Sequence, residues 1–203
     1  MADPAFLPLA SIAALILFAA VTTVTPGPNN IMLAVSGVNF GIRRTLPQMA
    51  GIELGVFLID IICGLGLGTL FSHYPGMRLG LQILGGLYTL WLAWKIASAG
   101  SLGGGDMARP MPFAGSFAFQ WINPKLWTMA ITTMTLYVRP GHTIADTALI
   151  TAILAVINLP AMLTWAGFGA FLRDMLRIPG RIRVFNIAMG VLLAASVLAL
   201  IRF

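Results

Sequence analysis

The chain carries very little charge: Asp, Glu, Lys and Arg together make up 9% of its 203 residues, against roughly 25% in an ordinary soluble domain. With 59% hydrophobic residues, it cannot supply the polar surface that a soluble fold of this length requires. A bilayer removes the requirement, because its hydrocarbon interior is as apolar as the side chains that face it. The scarcity of charge therefore excludes a soluble domain and indicates an integral membrane protein. Cysteine is nearly absent too. Cys63 stands alone in an apolar run, which rules out an intramolecular disulfide framework and reads as a small buried hydrophobe. The two histidines, His73 and His142, fall in loops between apolar runs, so no metal cluster or nucleophile–base pair is assigned and no catalytic residue is expected. No G-x-x-x-x-G-K-[ST] segment is present to cradle phosphates, which argues against direct ATP drive, and no cofactor is expected.

What charge there is has one sign in excess, a net +6. The twelve Lys and Arg are scattered between apolar runs rather than gathered on one face, so nucleic acid is not an expected partner and membrane lipid is. The segment Met1 to Ala5 carries Asp3 and no basic residue, unlike a cleavable signal peptide, so the first apolar run is expected to remain in the mature protein.

Six runs approach the ~20 apolar residues needed to cross a bilayer. They are Leu7–Val24 continuing through Ile31–Phe40, Leu46–Phe71, Met77–Ala97, Phe113–Val138, Ile144–Leu172 and Val184–Ile201. The loops after the odd-numbered spans hold Arg43, Arg44, Lys95, Arg109, Arg173, Arg177, Arg181 and Arg183; the other side holds Arg78, Arg139 and Arg202. The bias places the richer side in the cytoplasm and both termini on the periplasmic side. Trp91, Trp94 and Lys95 close the third span as interfacial anchors.

The Gly-rich polar stretch 97–112 reads as a linker between residues 1–96 and 113–203. Each half has three spans, and the first of each is interrupted by proline. Gln82-x-x-x-Gly86 is echoed by Asn186-x-x-x-Gly190, and Gly66-x-Gly68 by Gly167-x-Gly169. An odd number of spans per half makes the second half enter from the opposite side. The expected fold is all-α, about six transmembrane helices arranged as two inverted three-helix repeats, with helices 1 and 4 broken at Pro–Asn motifs.

The breaks are Thr25-Pro26-Gly27-Pro28-Asn29-Asn30 and Asn123-Pro124-Lys125. Proline removes a backbone donor and glycine permits non-helical angles, so neither helix passes through undisturbed. The first break lies roughly 20 Å from the cytoplasmic boundary and the second roughly 16 Å deep, at 1.5 Å per residue. Asn123 suits an N-cap and Pro124 the first helical position. Irregular backbone at that depth must be buried in protein or line a watery cavity, and helix N-termini there favour an anion such as a carboxylate. A kink filling a packing gap is the structural alternative. Three ionisable groups also lie within the spans. Lys125 could serve a carboxylate or pair with an acid. Glu53 and Asp60 share one face of the second span, near Gly51, Gly55 and Gly64. Glu53 is either a wetted surface residue or functional. Asp60 is either neutralised by Lys125 or acts as a proton site or ammonium ligand.

Thr25-Pro26-Gly27-Pro28-Asn29, Leu90-Trp91-Leu92 before Lys95, and Asn123-Pro124-Lys125 together resemble the LysE/RhtB family of amino-acid exporters. Within the family, Pro26–Asn30, Phe119-Gln120-Trp121 and Trp91–Ala97 are most similar to the cysteine/O-acetylserine exporters. The resemblance implies efflux of small amino acids or derivatives from a bacterial inner membrane, driven by protons. It places Pro26, Gly27, Pro28, Asn29, Asn123, Pro124 and Lys125 at the substrate site, with Asn30 beside them. Glu53 and Asp60 lie outside the family pattern. A membrane scaffold or sensor and a passive channel are the competing classes, and a homo-oligomer is left open.

Overall fold

The computed structural model describes residues 7–99, 109–178 and 180–201, and among these every regular element is helical. The six apolar runs become six helical stretches. The first is a broken pair, α1 (Leu9–Val24) and α2 (Pro28–Phe40), bent by 53°. Next come α3 (Ile42–Gly64), a 3-10 turn at Leu67–Thr69, the one-turn α4 (Leu70–His73) and α5 (Pro75–Ser98). A second broken pair, α6 (Phe113–Ile122) and α7 (Pro124–Tyr137), opens the other half; α8 (Thr143–Leu172) and α9 (Arg181–Ile201) complete it. Among the described residues, α3 and α8 are each long and apolar enough to cross a membrane alone, and α1 with α2 makes a third such span.

Several boundaries differ from expectation. Gly41, at φ +78°, turns the chain within a single residue, so Arg43 and Arg44 stand in the first turn of α3 instead of a loop. The second run was expected to reach Phe71, but α3 stops at Gly64. Gly66 at φ +94° carries the turn, and a residue in that conformation cannot continue a right-handed helix. His73, expected in a loop, ends the one-turn α4. Residues 100–108 of the linker and Met1–Ala5 lie outside the described residues, and α5 absorbs Ala97 and Ser98.

Glycine sets the helix packing, as it does where lipid offers no hydrophobic drive for association. A Cβ on Gly37 of α2 would strike the Ala166 carbonyl of α8, and one on Gly169 of α8 would strike the Ala34 carbonyl of α2. Gly51 of α3 lies against Phe113 and Ser116 of α6. Gly86 of α5 faces Val197 of α9, while Gly190 of α9 faces Ala93 of α5. Exchanging the two halves turns α2–α8 into α7–α3 and α6–α3 into α1–α8, and returns α5–α9 and α3–α8 to themselves. All of these pairs are in contact. Trp91 and Trp94 are exposed near the end of α5, with Lys95 Nζ 5.2 Å from the Trp91 ring centroid.

Candidate functional site

The first break follows from two missing donors. Pro26 and Pro28 have no N–H, so the carbonyls of Thr22 and Val24, four residues earlier, lose their helical partners. Trp165 of α8 donates its indole N–H to the Val24 carbonyl at 3.2 Å. Asn30 donates its amide nitrogen to the carbonyls of Thr23 (2.6 Å) and Thr25 (3.0 Å). Gly27 is extended, and α2 restarts at Pro28. Asn30, expected beside the substrate, is thus also the clamp that holds the two half-helices together.

The second break closes differently. Asn123 Oδ1 accepts the Lys125 N–H at 3.2 Å, the N-cap read from the sequence, with Pro124 in the first helical position. Capping takes the Lys125 N–H away from the Trp121 carbonyl, which accepts the Trp127 indole N–H at 2.9 Å instead. The Gln120 carbonyl, deprived of a donor by Pro124, takes the Asn123 N–H at 3.1 Å.

Both breaks meet in the protein interior. Asn29 Nδ2 donates to Gln120 Oε1 at 2.8 Å and Gln120 Nε2 returns a bond to Asn29 Oδ1 at 3.2 Å, tying α2 to α6. Lys125 reaches across from α7 to α2: its Nζ lies 2.8 Å from where a Cβ on Gly27 would stand. A cavity of about 70 Å³ is lined by Gly27, Pro28, Asn29, Asn30, Asn123 and Lys125, and by Asp60 and Asn158. Pro26 and Pro124 face a neighbouring space that Lys125 also lines. Glu53 does not line the inner cavity but accepts a 2.7 Å bond from Asn158, which does.

Asp60 is 5% exposed. Among the described residues no ion pair joins it to Lys125, so direct neutralisation by that lysine is not how its charge is met. The antiparallel register of α3 and α8 is fixed at both ends, by Gly64 against Thr147 and Glu53 bonded to Asn158. That register puts the buried Thr151 at the level of Asp60.

Sequence reasoning missed Asn158 and Thr151. Asn158 did carry a signal, a lone amide in an apolar run two residues before Pro160. Gln120 was visible only as part of a family-like triplet.

The electrostatics are unusual. In the first turn of α2 the N–H groups of Asn29 and Asn30 have no intrahelical acceptor, and the helix dipole adds partial positive charge there. The Lys125 ammonium stands at the same end, beside Gly27. Two positive ends converging in a low-dielectric interior repel until an anion sits between them. Asp60 supplies a carboxylate elsewhere on the cavity wall, so the cavity suits a small molecule with charges of both signs.

The Asn29–Gln120 tie makes one further expectation concrete. Gln120→Leu leaves the Asn29 amide short of partners, at a cost of about 1–3 kcal/mol. Adding Asn29→Leu should recover about 1 kcal/mol of that loss. Strictly additive losses in detergent thermal unfolding would show that the pair does not couple.

The sequence matches the LysE type translocator family over residues 20–202. It is similar to the cysteine/O-acetylserine efflux proteins of Escherichia coli strain K12 and of Shigella flexneri. Each is 31% identical over 175 residues, covering 85% of this chain and 88% of the relative. The cysteine/O-acetylserine efflux protein of Escherichia coli O1:K1 is 30% identical over the same length. No solved structure gives a significant match.

Proposed function

Because the chain belongs to the LysE translocator family, we propose that it is a secondary transporter exporting small amino acids or their derivatives from a bacterium across the inner membrane. The substrates are cysteine, O-acetylserine or homoserine-like molecules. The observation that carries this reading is the convergence of Lys125 and the N-terminus of α2 on the inner cavity, with Asp60 on its wall. A zwitterion fits that pattern: its carboxylate takes the α2 N-terminus and Lys125, and its ammonium takes Asp60. Glu53 acts through Asn158, holding the amide that lines the cavity. Gly27, Pro28, Asn29, Asn123 and Pro124 shape the two breaks around the substrate.

The exchange of helix contacts between the halves supports inverted repeats, 1–96 and 113–203, rocking about a central site. The termini are then periplasmic, on the side away from Arg43 and Arg44. Transport is proton-coupled, with Asp60 the carrier: it is the carboxylate buried on the wall of the inner cavity, and ionisable groups at that depth mark ion and proton paths.

Liposomes loaded with labelled cysteine, O-acetylserine, homoserine or lysine test the reading. Efflux should accelerate under a pH gradient of one sign only. No release under either sign would overturn the exporter, and release down any solute gradient without proton dependence would make it a passive channel. Asp60→Asn should abolish the response to the gradient; an unaltered response assigns Asp60 to structure.

A further inference from the structure

Beyond the inner cavity lie two more spaces, and they are contiguous. The first has a volume of about 500 Å³ and shares Gly27, Pro28 and Lys125 with the inner cavity. It shares Gln82, Pro124 and Thr128 with the second, of about 290 Å³, whose wall includes Arg78. The order is fixed by the shared residues: inner cavity, middle space, outer space. Arg78 and Gln82 are four apart on α5, and Thr128 and Thr132 four apart on α7, so each helix offers one polar stripe to the groove between them. Other flanks of α5 are apolar and exposed, including Leu84 and Leu87. Arg78 lies in the first turn of α5, the end away from Arg43 and Arg44.

Lys125 stands where the inner and middle spaces meet. Its Cδ is 3.4 Å and its Nζ 2.8 Å from the place a Cβ on Gly27 would occupy, so aliphatic stem and ammonium together fill the gap at the first break.

We infer that the α5–α7 groove is the exit route, with Lys125 as the gate that closes the inner cavity from it, Gln82 and Thr128 as polar rungs, and Arg78 at the mouth. The inference rests on the exporter reading for what passes through. A polar wall on both sides gives a departing zwitterion hydrogen-bond partners at a depth where lipid offers none. The guanidinium at the mouth draws the carboxylate end outward once Lys125 releases it.

Cysteine accessibility tests the route apart from the substrate. In a Cys63→Ala parent, Gln82→Cys and Thr128→Cys are exposed, from the side opposite Arg43, to the impermeant anionic reagent 2-sulfonatoethyl methanethiosulfonate. Both should react at least tenfold faster than the lipid-facing Leu84→Cys and Leu87→Cys, and modification should lower export at least fivefold. Rates equal to those controls, or full modification with export unchanged, would overturn the route. Asn158→Cys, inside the inner cavity, should react at least fivefold faster when Lys125→Ala is added; equal rates would remove Lys125 as the gate. A parent that exports no amino acid overturns the exporter reading and the route with it. Unreactive cysteines in an exporting parent overturn the route alone.

Discussion

Lys125→Met is expected to lower export by roughly 10- to 100-fold with the protein still inserted at normal levels. The figure follows from losing one charge-assisted contact to a carboxylate, about 1.5–3 kcal/mol. Methionine keeps much of the length and flexibility of the lysine stem, so it continues to fill the space beside Gly27 and isolates the charge from the packing. Loss of charge should act chiefly through KM for the amino acid, because the contact already exists in the bound state. Lys125→Arg should restore little. A planar guanidinium is wider than an ammonium, and the lysine head already stands 2.8 Å from the site of a Gly27 Cβ. The check is initial-rate efflux from liposomes across a range of internal amino-acid concentrations, normalised to reconstituted protein. Wild-type KM in Lys125→Met would remove the lysine from the site.

The parts of this arrangement that the sequence made legible are those controlled by local chemistry. Pro28 and Pro124 restart helices because proline cannot continue one but suits its first position. Asn123 caps for the same local reason. What stayed hidden depends on partners distant in the chain. Asn29 and Gln120 are 91 residues apart, and Glu53 and Asn158 are 105 apart. No periodicity within one helix announces such bonds. Asn30 reads as a substrate-site residue because its neighbours do; its bonds to the Thr23 and Thr25 carbonyls, invisible in the sequence, make it a clamp as well. The early start of α3 was similarly opaque, since glycine at position 41 is compatible with a loop or with a one-residue turn at positive φ.

Gly169→Ala is expected to damage the protein at least as much as any other single-methyl addition in the α2–α8 interface. The added carbon would strike the Ala34 carbonyl and lie 2.8 Å from its carbonyl carbon and 3.0 Å from the Val38 nitrogen. These are backbone atoms within α2, so no side-chain rotation relieves the overlap and the whole helix must move. Overpacking against side chains costs about 1–3 kcal/mol, and a backbone contact belongs at the upper end of that range or beyond it. A fall of order 10 °C in the thermal midpoint of the detergent-solubilised protein is the matching expectation. Gly80→Ala in α5 is the control, because nothing lies within 4 Å of its added Cβ; helix propensity alone should leave it neutral or slightly stabilised. Equal midpoints for the two variants would mean that α2 and α8 are not in backbone contact. The consequence for function follows from the chain itself. Gly27, Pro28 and Asn29 open the same helix that Ala34 and Val38 carry against α8. Any shift of α2 away from Gly169 therefore moves its N-terminus relative to Lys125, so Gly169→Ala should lose transport even in the fraction that remains folded.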